Sequence, residues 1–234
     1  YAVATGNTYI VKTSEQAPCT MQFIMEILDE SGLPEGVLNV VHGGRETAET
    51  LIEHPDVTGI SFVGSTPVAR HVYARSAQFG KRVQAQGGAK NCLVVMEDAS
   101  LSKAVPNMIA SCYGCAGQRC LAGSNILVMD SIYEEFREEF TDRAGAIRMG
   151  YGLEEHVTMG PVISAKSRER IIKMIGEAVH EGGRLLLDGR QGLVESAGFF
   201  VGPTIIENVH PEMSMVREEV FGPVVSLVRV RDLD

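Results

Sequence analysis

The densest group of reactive side chains in the sequence lies between Cys112 and Cys120. Three of the five cysteines, Cys112, Cys115 and Cys120, fall in one short run, where a predicted helix gives way to small residues. Small neighbours let a carbonyl group approach a thiol, and nearby N–H groups or a bound cation favour the nucleophilic thiolate. Cys120, which follows Gly117-Gln118-Arg119, is therefore predicted to be the nucleophile of an enzyme.

Cys112 and Cys115 also form a C-x-x-C pair, which suggests two other kinds of chemistry. A structural zinc site needs a second pair of ligands at a matching distance, but Cys19, Cys92 and the histidines are scattered along the chain. A redox-active pair of cysteines usually lies at the start of a helix, whereas this pair lies at the end of a predicted helix. The sequence thus predicts no metal site, and Cys112 and Cys115 are predicted to be small core residues.

A second candidate site is the turn Gly64-Ser65-Thr66-Pro67, which joins a predicted strand to a predicted helix. The N–H groups and the dipole at such a helix start attract a pyrophosphate, but many similar turns only cap a helix. Lys12 and Glu15 follow the first predicted strand in the same way. A carboxylate there can accept hydrogen bonds from ribose hydroxyls, and the alternative is an exposed helix start.

Two further loops contain glycine. The run from Gln84 to Asn91, which includes Gln86, is predicted to be a loop that follows a strand. It lies at the predicted domain boundary, where a cleft is expected, although a tight structural turn is the plain alternative. The run Arg217–Pro223 places carboxylates and an aromatic ring before a Gly-Pro turn that leads into a strand. Alone, this second run indicates only a loop.

Alternating strands and helices must position these residues. The first part of the chain has predicted strands at 8–11, 37–41 and 57–63, the last of them buried, and predicted helices at 18–30, at 46–53 and after an N-cap at Ser65 or Thr66. In the first helix, Met21, Ile24, Met25 and Leu28 form the apolar face. This alternation predicts parallel pairing, and hence a doubly wound α/β sheet.

A second α/β unit follows a boundary predicted near Gly87-Gly88. Its predicted strands are 93–96 and 126–129, and its predicted helices are 101–113, 132–148 and 166–181. The domains are therefore expected at 1–88, the coenzyme-binding part, and at 89–234, the part with the candidate nucleophile. The polar, glycine-containing segment 188–197 is predicted to be an exposed connection between two strands.

Composition narrows the class of protein. The chain has 234 residues, of which 44% are hydrophobic and 22% charged, as is typical of a globular protein of one or two domains. A net charge of -9 without a basic cluster argues against a nucleic-acid partner. No apolar stretch approaches the roughly 20 residues of a membrane span, and no leader opens the chain. We expect a soluble, intracellular protein with reduced thiols, and an internal part of a longer chain.

In their order, these motifs resemble the aldehyde dehydrogenase superfamily, from Gly6-Asn7-Thr8 to Phe221-Gly222-Pro223. The resemblance implies an aldehyde dehydrogenase-like fold in which Cys120 attacks an aldehyde, a hydride passes to a nicotinamide, and a thioester remains on the enzyme. The residues that match cofactor positions are Lys12 and Glu15 for the adenosine ribose, Gly64 and Ser65 for the pyrophosphate, and Glu219 and Phe221 for the nicotinamide ribose. Since an acidic Glu15 would repel the extra phosphate of NADP, NAD is the expected cofactor.

One departure from the superfamily pattern concerns the acyl acceptor. Most hydrolytic members have Glu where this sequence has Gln86, in a run whose lysine matches Lys90. An amide cannot take a proton from water, and a missing general base lowers the rate by about 10²–10⁴-fold. A thiol ionises more readily than water, so coenzyme A becomes the expected co-substrate.

The finer match is with the methylmalonate-semialdehyde dehydrogenase branch, which converts a malonate-type semialdehyde to an acyl-CoA with loss of carbon dioxide. It rests on the runs 81–85, 88–91 and 201–206, whereas Cys92 and the run 121–123 depart from that branch and leave the exact aldehyde open. Arg119 is the candidate partner of the semialdehyde carboxylate, because a bidentate arginine is the usual choice. The alternative is that Arg119 is a helix-end residue facing solvent.

Two other functions stay open. One is a hydrolytic aldehyde dehydrogenase whose base lies elsewhere and whose product is a free acid. The other is a catalytically inactive chain that retains partial cofactor binding. The resemblance implies that the superfamily's oxyanion-stabilising asparagine lies before Tyr1, and the loss of one such donor lowers turnover by about 10²–10³-fold. The resemblance further implies a homo-oligomeric parent protein in the bacterial cytoplasm, or in the mitochondrial matrix of a eukaryote.

Overall fold

The structure is a computed structural model that describes residues 1–191 and 198–232. The chain divides into two compact units, Tyr1–Gly87 and Gly88–Asp234. Both units are built of strands and helices in alternation, and most of the strand pairs are parallel. No helix in the described ranges is long and apolar enough to cross a membrane.

The first unit contains four strands, three α-helices and a short 3-10 helix at Val3–Thr5. In chain order the strands and α-helices are β1 (Tyr9–Lys12), α1 (Cys19–Glu30), β2 (Leu38–Val41), α2 (Arg45–Glu53), β3 (Gly59–Val63), α3 (Thr66–Gln78) and β4 (Arg82–Gln86). The strands form two parallel pairs, β1 with β2 and β3 with β4. Because each pair is joined by a helix, as parallel strands require, the predicted α/β class is confirmed.

The helix boundaries of this unit follow from local residue types. Ser65 is the N-cap of α3, as predicted, and Pro67 stands in its first turn, where a missing N–H group costs nothing. Helix α1 ends before Gly32, whose φ of +81° is a conformation that other residues rarely adopt. Of the predicted apolar face of α1, Met21, Met25 and Leu28 are half-buried, whereas Ile24 is exposed.

Two predictions for this unit were wrong. The strand predicted at 57–63 begins at Gly59, and it is not buried: exposed and half-buried residues alternate along it, with Val63 63% exposed. Successive side chains of a strand point to opposite faces, and only one face of β3 is covered here. The supposed loop from Gln84 to Asn91 is a strand up to Gln86, which leaves only Gly87–Lys90 as the connection.

The second unit is a five-stranded sheet with helices. Its elements are β5 (Asn91–Val95), α4 (Leu101–Tyr113), β6 (Gly123–Met129), α5 (Tyr133–Gly145), α6 (Ala165–His180), β7 (Arg184–Leu187), β8 (Thr204–Glu207), α7 (Ser214–Arg217) and β9 (Val224–Val230). The strand order is β5-β6-β9-β8-β7, and every pair is parallel except β7 with β8. The predicted helix 101–113 is confirmed at both ends.

Three features of this unit differ from, or lie outside, the predictions. The helix predicted at 132–148 is shorter, because a 3-10 turn at Asp130–Ile132 precedes α5 and the helix stops at Gly145. Cys112 is a core residue as predicted, but Cys115 is exposed. The segment predicted at 188–197 does connect two strands, and residues 192–197 of it lie outside the described part of the chain.

Aromatic packing closes the core of the second unit. Phe136 and Phe140 of α5 are fully buried and stack with ring centroids 5.3 Å apart, and Phe140 also lies 6.0 Å from Tyr113 of α4. The Tyr113 hydroxyl donates to the carbonyl oxygen of Thr204 at 3.3 Å, so its polar atom is paired. These contacts fix α4, and therefore the segment that follows α4, on the sheet.

We expect Phe140→Ala to lower the free energy of unfolding of the second unit by about 3–5 kcal/mol, because the deletion leaves a cavity in a core that cannot close fully. Urea denaturation monitored by circular dichroism measures this change. Phe23→Ala in α1 is the matched control, since Phe23 is 64% exposed. A loss at Phe140 no larger than that of the control would contradict the importance of this packing.

Candidate active site

Three loops meet at one edge of the second sheet. Because β5, β6 and β9 are parallel neighbours, the segments that enter them arrive at the same edge. These segments are Gly87–Lys90 before β5, Gly114–Ala122 before β6 and Glu218–Pro223 before β9. The second loop carries Cys120 and the third carries Glu219 and Phe221, so the fold brings these sequence-predicted residues to one edge.

The loop that carries Cys120, which we call the nucleophile loop (Gly114–Ala122), has an irregular backbone. After α4, Cys115 and Ala116 both have a φ of 53°, and Gly117 has a φ of 68°. Gly117 is required for a second reason: a Cβ there would lie 2.2 Å from the carbonyl oxygen of Gly222. Glycine therefore lets the nucleophile loop pack directly on the loop that precedes β9.

The side chain of Gln118 fastens the nucleophile loop from one side. Its amide nitrogen donates to the carbonyl oxygens of Cys115, at 3.1 Å, and Pro161, at 3.4 Å. Its oxygen accepts from the N–H of Ile163 at 2.8 Å. The glutamine of the Gly-Gln-x-Cys motif thus ties the loop to the segment before α6, a role that the sequence pattern did not reveal.

Arg119 contacts the end of the preceding helix. One guanidinium nitrogen donates to the carbonyl oxygens of Ala110 and Ser111, the second at 3.0 Å. Cations near a helix C-terminus pair favourably with its unsatisfied carbonyls. These contacts favour the helix-end interpretation of Arg119, and a role toward a substrate carboxylate stays a prediction.

Burial separates the thiols of this segment. Cys112 is 1% exposed, and burial raises the pKa of its thiol to about 12, although the nearby Arg119 acts in the opposite direction. Cys112 is thus held in the unreactive thiol form. Cys120 is exposed, as a nucleophile that meets a substrate must be. Cys115 is exposed as well, so exposure alone does not single out Cys120.

The loop before β9 is held by Arg170 of α6. The Arg170 guanidinium donates to the carbonyl oxygens of Glu219, at 3.3 Å, and Val220, at 2.5 Å. Val220 is buried, whereas Phe221 is partly exposed and has a φ of 47°. A cavity of about 20 Å³ lies between this loop and the nucleophile loop, and Asn91, Gly117, Arg119, Glu219 and Phe221 are among its lining residues.

Lys90 is a site residue that sequence analysis matched only to a motif. Its ammonium group is buried, and no hydrogen-bond acceptor for it is found within the described residues. Burial lowers the pKa of Lys90 from 10.5 to about 8, while Cys92 and Glu219 nearby act to raise it. The positive charge of Lys90, on the loop before β5, thus lies within electrostatic range of Glu219, on the loop before β9.

In the first unit, Lys12 and Glu15 lie together at the carboxyl end of β1. The Lys12 ammonium donates to the carbonyl oxygen of Gly43 at 2.7 Å and lies 3.9 Å from the Glu15 carboxylate. Beside them is an open pocket of about 450 Å³. Its lining includes Thr13, Glu15, Pro18, Phe23, His42 and Gly43. The ring of Phe23 offers an apolar face for a base, and the Glu15 carboxylate can accept hydrogen bonds from a ribose. Such a pocket at the carboxyl ends of parallel strands suits a nucleoside.

Gly64, Ser65 and Gln86 lie together at the carboxyl ends of β3 and β4. The Gly64 N–H donates to the carbonyl oxygen of Gln86 at 3.1 Å, and a Cβ on Gly64 would lie 2.6 Å from the ring of Phe62. The Ser65 side chain makes no capping hydrogen bond to α3. A small, polar helix start of this kind can bind an anionic group.

Comparison with known proteins decides the family. The model of the aldehyde dehydrogenase family matches residues 1–234. The chain belongs to the aldehyde dehydrogenase family. It is 46% identical over 234 residues to malonate-semialdehyde dehydrogenase 2 of Geobacillus thermodenitrificans, covering 100% of this chain and 48% of that protein. The aldehyde dehydrogenase-like fold predicted from the sequence is thus confirmed.

Solved aldehyde dehydrogenase structures agree. The methylmalonate-semialdehyde dehydrogenase of Oceanimonas doudoroffii superposes with a TM-score of 0.93 at 38% identity, covering 99% of this chain and 48% of that one. The aldehyde dehydrogenase of Mycobacterium tuberculosis, solved with NAD+, gives a TM-score of 0.91 at 34% identity, covering 97% and 47%. The chain spans about half the length of the relatives it matches.

Histidine, cysteine and acidic side chains are the possible metal ligands in the part of the chain that the structure describes. Across residues 1–191 and 198–232, no group of three or more His, Cys, Asp or Glu side chains is placed to hold a metal ion. Cys112 and Cys115 face different environments, one buried and one exposed.

Thiol titration of the native chain tests which cysteine thiols are accessible to solvent and which are buried. We expect four of the five cysteines to react with Ellman's reagent, namely Cys19, Cys92, Cys115 and Cys120, and Cys112 to react only after denaturation. Cys120→Ser should lower the native count by one. Cys112→Ser should leave the native count unchanged and lower only the denatured count, and a lower native count in that variant would show that Cys112 is accessible.

Stability at alkaline pH tests the burial of Lys90. The folded state loses the Lys90 proton near the lowered pKa of about 8, whereas the unfolded chain keeps it up to about 10.5. Between these values the unfolded state binds more protons, so this group adds stability as the pH rises. The free energy of unfolding of the wild type, relative to Lys90→Met, should therefore increase from pH 7.5 to pH 10.5 in urea titrations. The same comparison with Lys103→Met, which removes an exposed lysine, controls for the charge.

Proposed function

We propose that this chain carries the nucleophile and the cofactor-binding residues of an NAD-dependent, coenzyme A-acylating semialdehyde dehydrogenase. The observation that carries the proposal is the exposed Cys120, which lies on a loop packed against the Glu219–Gly222 segment in a chain of the aldehyde dehydrogenase family. Two of the relatives named above, those of Geobacillus thermodenitrificans and Oceanimonas doudoroffii, are named for malonate or methylmalonate semialdehyde. A small semialdehyde is therefore the proposed substrate.

The reaction at Cys120 takes two stages. The thiolate attacks the aldehyde carbon, and the resulting thiohemiacetal loses a hydride to become a thioester. Bound NAD supplies the hydride acceptor. Gln118 fixes the loop so that Cys120 meets the aldehyde in one orientation, and such preorganisation lowers the entropic part of the barrier.

Six residues are proposed to hold NAD. In the first unit they lie at the carboxyl ends of two parallel strand pairs, where dinucleotides bind in α/β proteins, and in the second unit they lie on the loop before β9. They are Lys12 and Glu15 for the adenosine ribose, Gly64 and Ser65 for the pyrophosphate, and Glu219 and Phe221 for the nicotinamide ribose. The Glu15 carboxylate disfavours a 2′-phosphate, and the Mycobacterium tuberculosis relative was solved with NAD+.

Gln86 favours coenzyme A over water as the acyl acceptor. It is the last residue of β4, and its side chain is a neutral amide at the position where hydrolytic members have a carboxylate. An amide is no base for water, whereas a thiol needs less help because it ionises near neutral pH. The thioester on Cys120 would thus pass its acyl group to the thiol of coenzyme A.

Arg119 is proposed only as a secondary contact for the carboxylate of the semialdehyde. Arg119 is among the residues that line the small cavity beside Glu219 and Phe221, and this supports a role near the candidate site. One of its nitrogens already holds the end of α4, so a substrate would use the remaining face of the guanidinium. The contact with α4 would keep the guanidinium fixed for that purpose.

A second candidate function is cofactor binding without efficient turnover. The chain spans about half the length of the relatives it matches, and the loss of a single oxyanion donor lowers turnover by about 10²–10³-fold. The present chain alone is therefore expected to turn over much more slowly than a full-length relative. NAD binding without NADH formation would favour this candidate.

Acyl-acceptor dependence tests the main proposal. With malonate semialdehyde and NAD, we expect acyl-CoA when coenzyme A is present, and free acid formed about 10²-fold more slowly when it is absent. Gln86→Glu should speed the formation of free acid about tenfold or more, because it restores a base. Gln84→Glu, a matched change on the exposed face of the same strand, should not.

Equal rates of free-acid formation with and without coenzyme A would overturn the assignment of the acceptor and favour the hydrolytic alternative. Cys120→Ser identifies the nucleophile in the same assay. It should abolish product while leaving NAD binding, measured by fluorescence, within about twofold, since a hydroxyl is a far weaker nucleophile than a thiolate.

A further inference from the structure

Asn91 makes four contacts with the segment that carries the nucleophile: three side-chain hydrogen bonds and one strand pairing. Its side-chain amide donates to the carbonyl oxygen of Cys120 at 2.8 Å and to that of Ala122 at 2.9 Å. Its main chain pairs with Gly123 across the sheet, and its own carbonyl oxygen accepts from the hydroxyl of Ser124 at 3.1 Å. One residue at the start of β5 therefore holds almost every position from the nucleophile to the start of β6.

An irregularity in the sheet accompanies this arrangement. Asn91 pairs with Gly123 and the next residue, Cys92, pairs with Asn125, so that Ser124 is an extra residue on β6. A bulge of this kind bends its strand and redirects nearby groups, and bulges are common beside active sites. The two carbonyl groups that accept from the Asn91 amide lie just before this irregularity.

The bonds of Asn91 act on the conformation of Cys120 itself. The carbonyl group of Cys120 belongs to the peptide unit on its C-terminal side, and holding that carbonyl fixes ψ of Cys120. The adjacent Leu121 is 83% exposed and Ala122 is 9% exposed, so packing of side chains anchors little of this stretch before Ala122. The two amide hydrogen bonds therefore restrain the backbone from which the Cys120 thiol projects, on its C-terminal side.

We propose that Asn91 is a positioning residue that sets the direction from which the Cys120 thiol meets an aldehyde. Gln118 holds the loop on the N-terminal side of Cys120, and Asn91 holds it on the C-terminal side. Both use neutral amides, which satisfy carbonyl groups without placing a net charge beside the thiolate. The inference rests on the proposed function, because it takes Cys120 as the nucleophile that attacks a semialdehyde.

The test compares accessibility of Cys120 with its ability to add to an aldehyde. The rate at which iodoacetamide alkylates Cys120, followed by peptide mass spectrometry, measures the accessibility of the thiol. Malonate semialdehyde that has added to Cys120 protects it from alkylation, so the aldehyde concentration that halves the alkylation rate measures how readily the thiol adds to the aldehyde. In Asn91→Ala we expect the alkylation rate without aldehyde to stay within about threefold, while the half-protecting concentration rises about tenfold or more, because a misplaced nucleophile loses much of its advantage. Asn91→Ser, which keeps one donor, should fall between.

Hydrogen–deuterium exchange gives a second measurement that does not need the aldehyde. Exchange of residues 118–124 should become about tenfold faster in Asn91→Ala, because the local opening of the loop then breaks fewer bonds. Asn107→Ala is the matched control, since the Asn107 amide also donates to one backbone carbonyl at 2.9 Å in the same unit. The control should leave the exchange of residues 118–124 and the half-protecting concentration unchanged.

An unchanged half-protecting concentration and unchanged exchange in Asn91→Ala would overturn the proposal, as would equal effects in Asn107→Ala. If Asn91→Ala does not fold, Asn91→Ser decides by the same two criteria. Failure of malonate semialdehyde to protect the wild type would instead refute the proposed function. The exchange of residues 118–124 would then decide the role of Asn91 by itself.

Discussion

Parallel pairing of β5, β6 and β9 is the constraint on which the candidate active site depends. Three strands that run side by side in one direction bring the three loops before them to one edge, although these loops are far apart in sequence. That edge is the amino end of the strands. The cofactor candidates of the first unit instead follow the strands, at the carboxyl ends where ligands of α/β proteins usually bind. Within each unit, therefore, the candidate residues lie at a different kind of strand end.

Burial, more than residue type, assigns the roles of the cysteines and of Lys90. Cys112 packs beneath Gly123, where a Cβ would approach its sulfur to 3.1 Å, and the resulting desolvation raises the pKa of its thiol. Cys120 lies in the same segment but beyond the end of α4, where it is exposed. Desolvation also lowers the pKa of Lys90, the opposite direction, because burial always disfavours the charged form.

Neutral amides and backbone geometry shape the nucleophile loop. Gln118 and Asn91 bind carbonyl groups on either side of Cys120, and Gly117 allows contact with the loop that carries Glu219 and Phe221. Arg170 holds this last loop through two further carbonyl groups. The site is therefore ordered by hydrogen bonds to the main chain, which fix positions tightly and tolerate variation of the exposed side chains around them.

The sequence by itself determined the family, the α/β class, the helix 101–113 and the candidate nucleophile, because ordered motifs and helical periodicity are local properties. It did not reveal that the strand before the Gly87-Gly88 boundary extends to Gln86, that β3 is partly exposed, or that Cys115 is exposed, since strand pairing and burial depend on distant residues. Only the tertiary structure showed the bonds of Asn91 and Arg170. Their partners lie 29 and about 50 residues away, and no local pattern encodes such contacts.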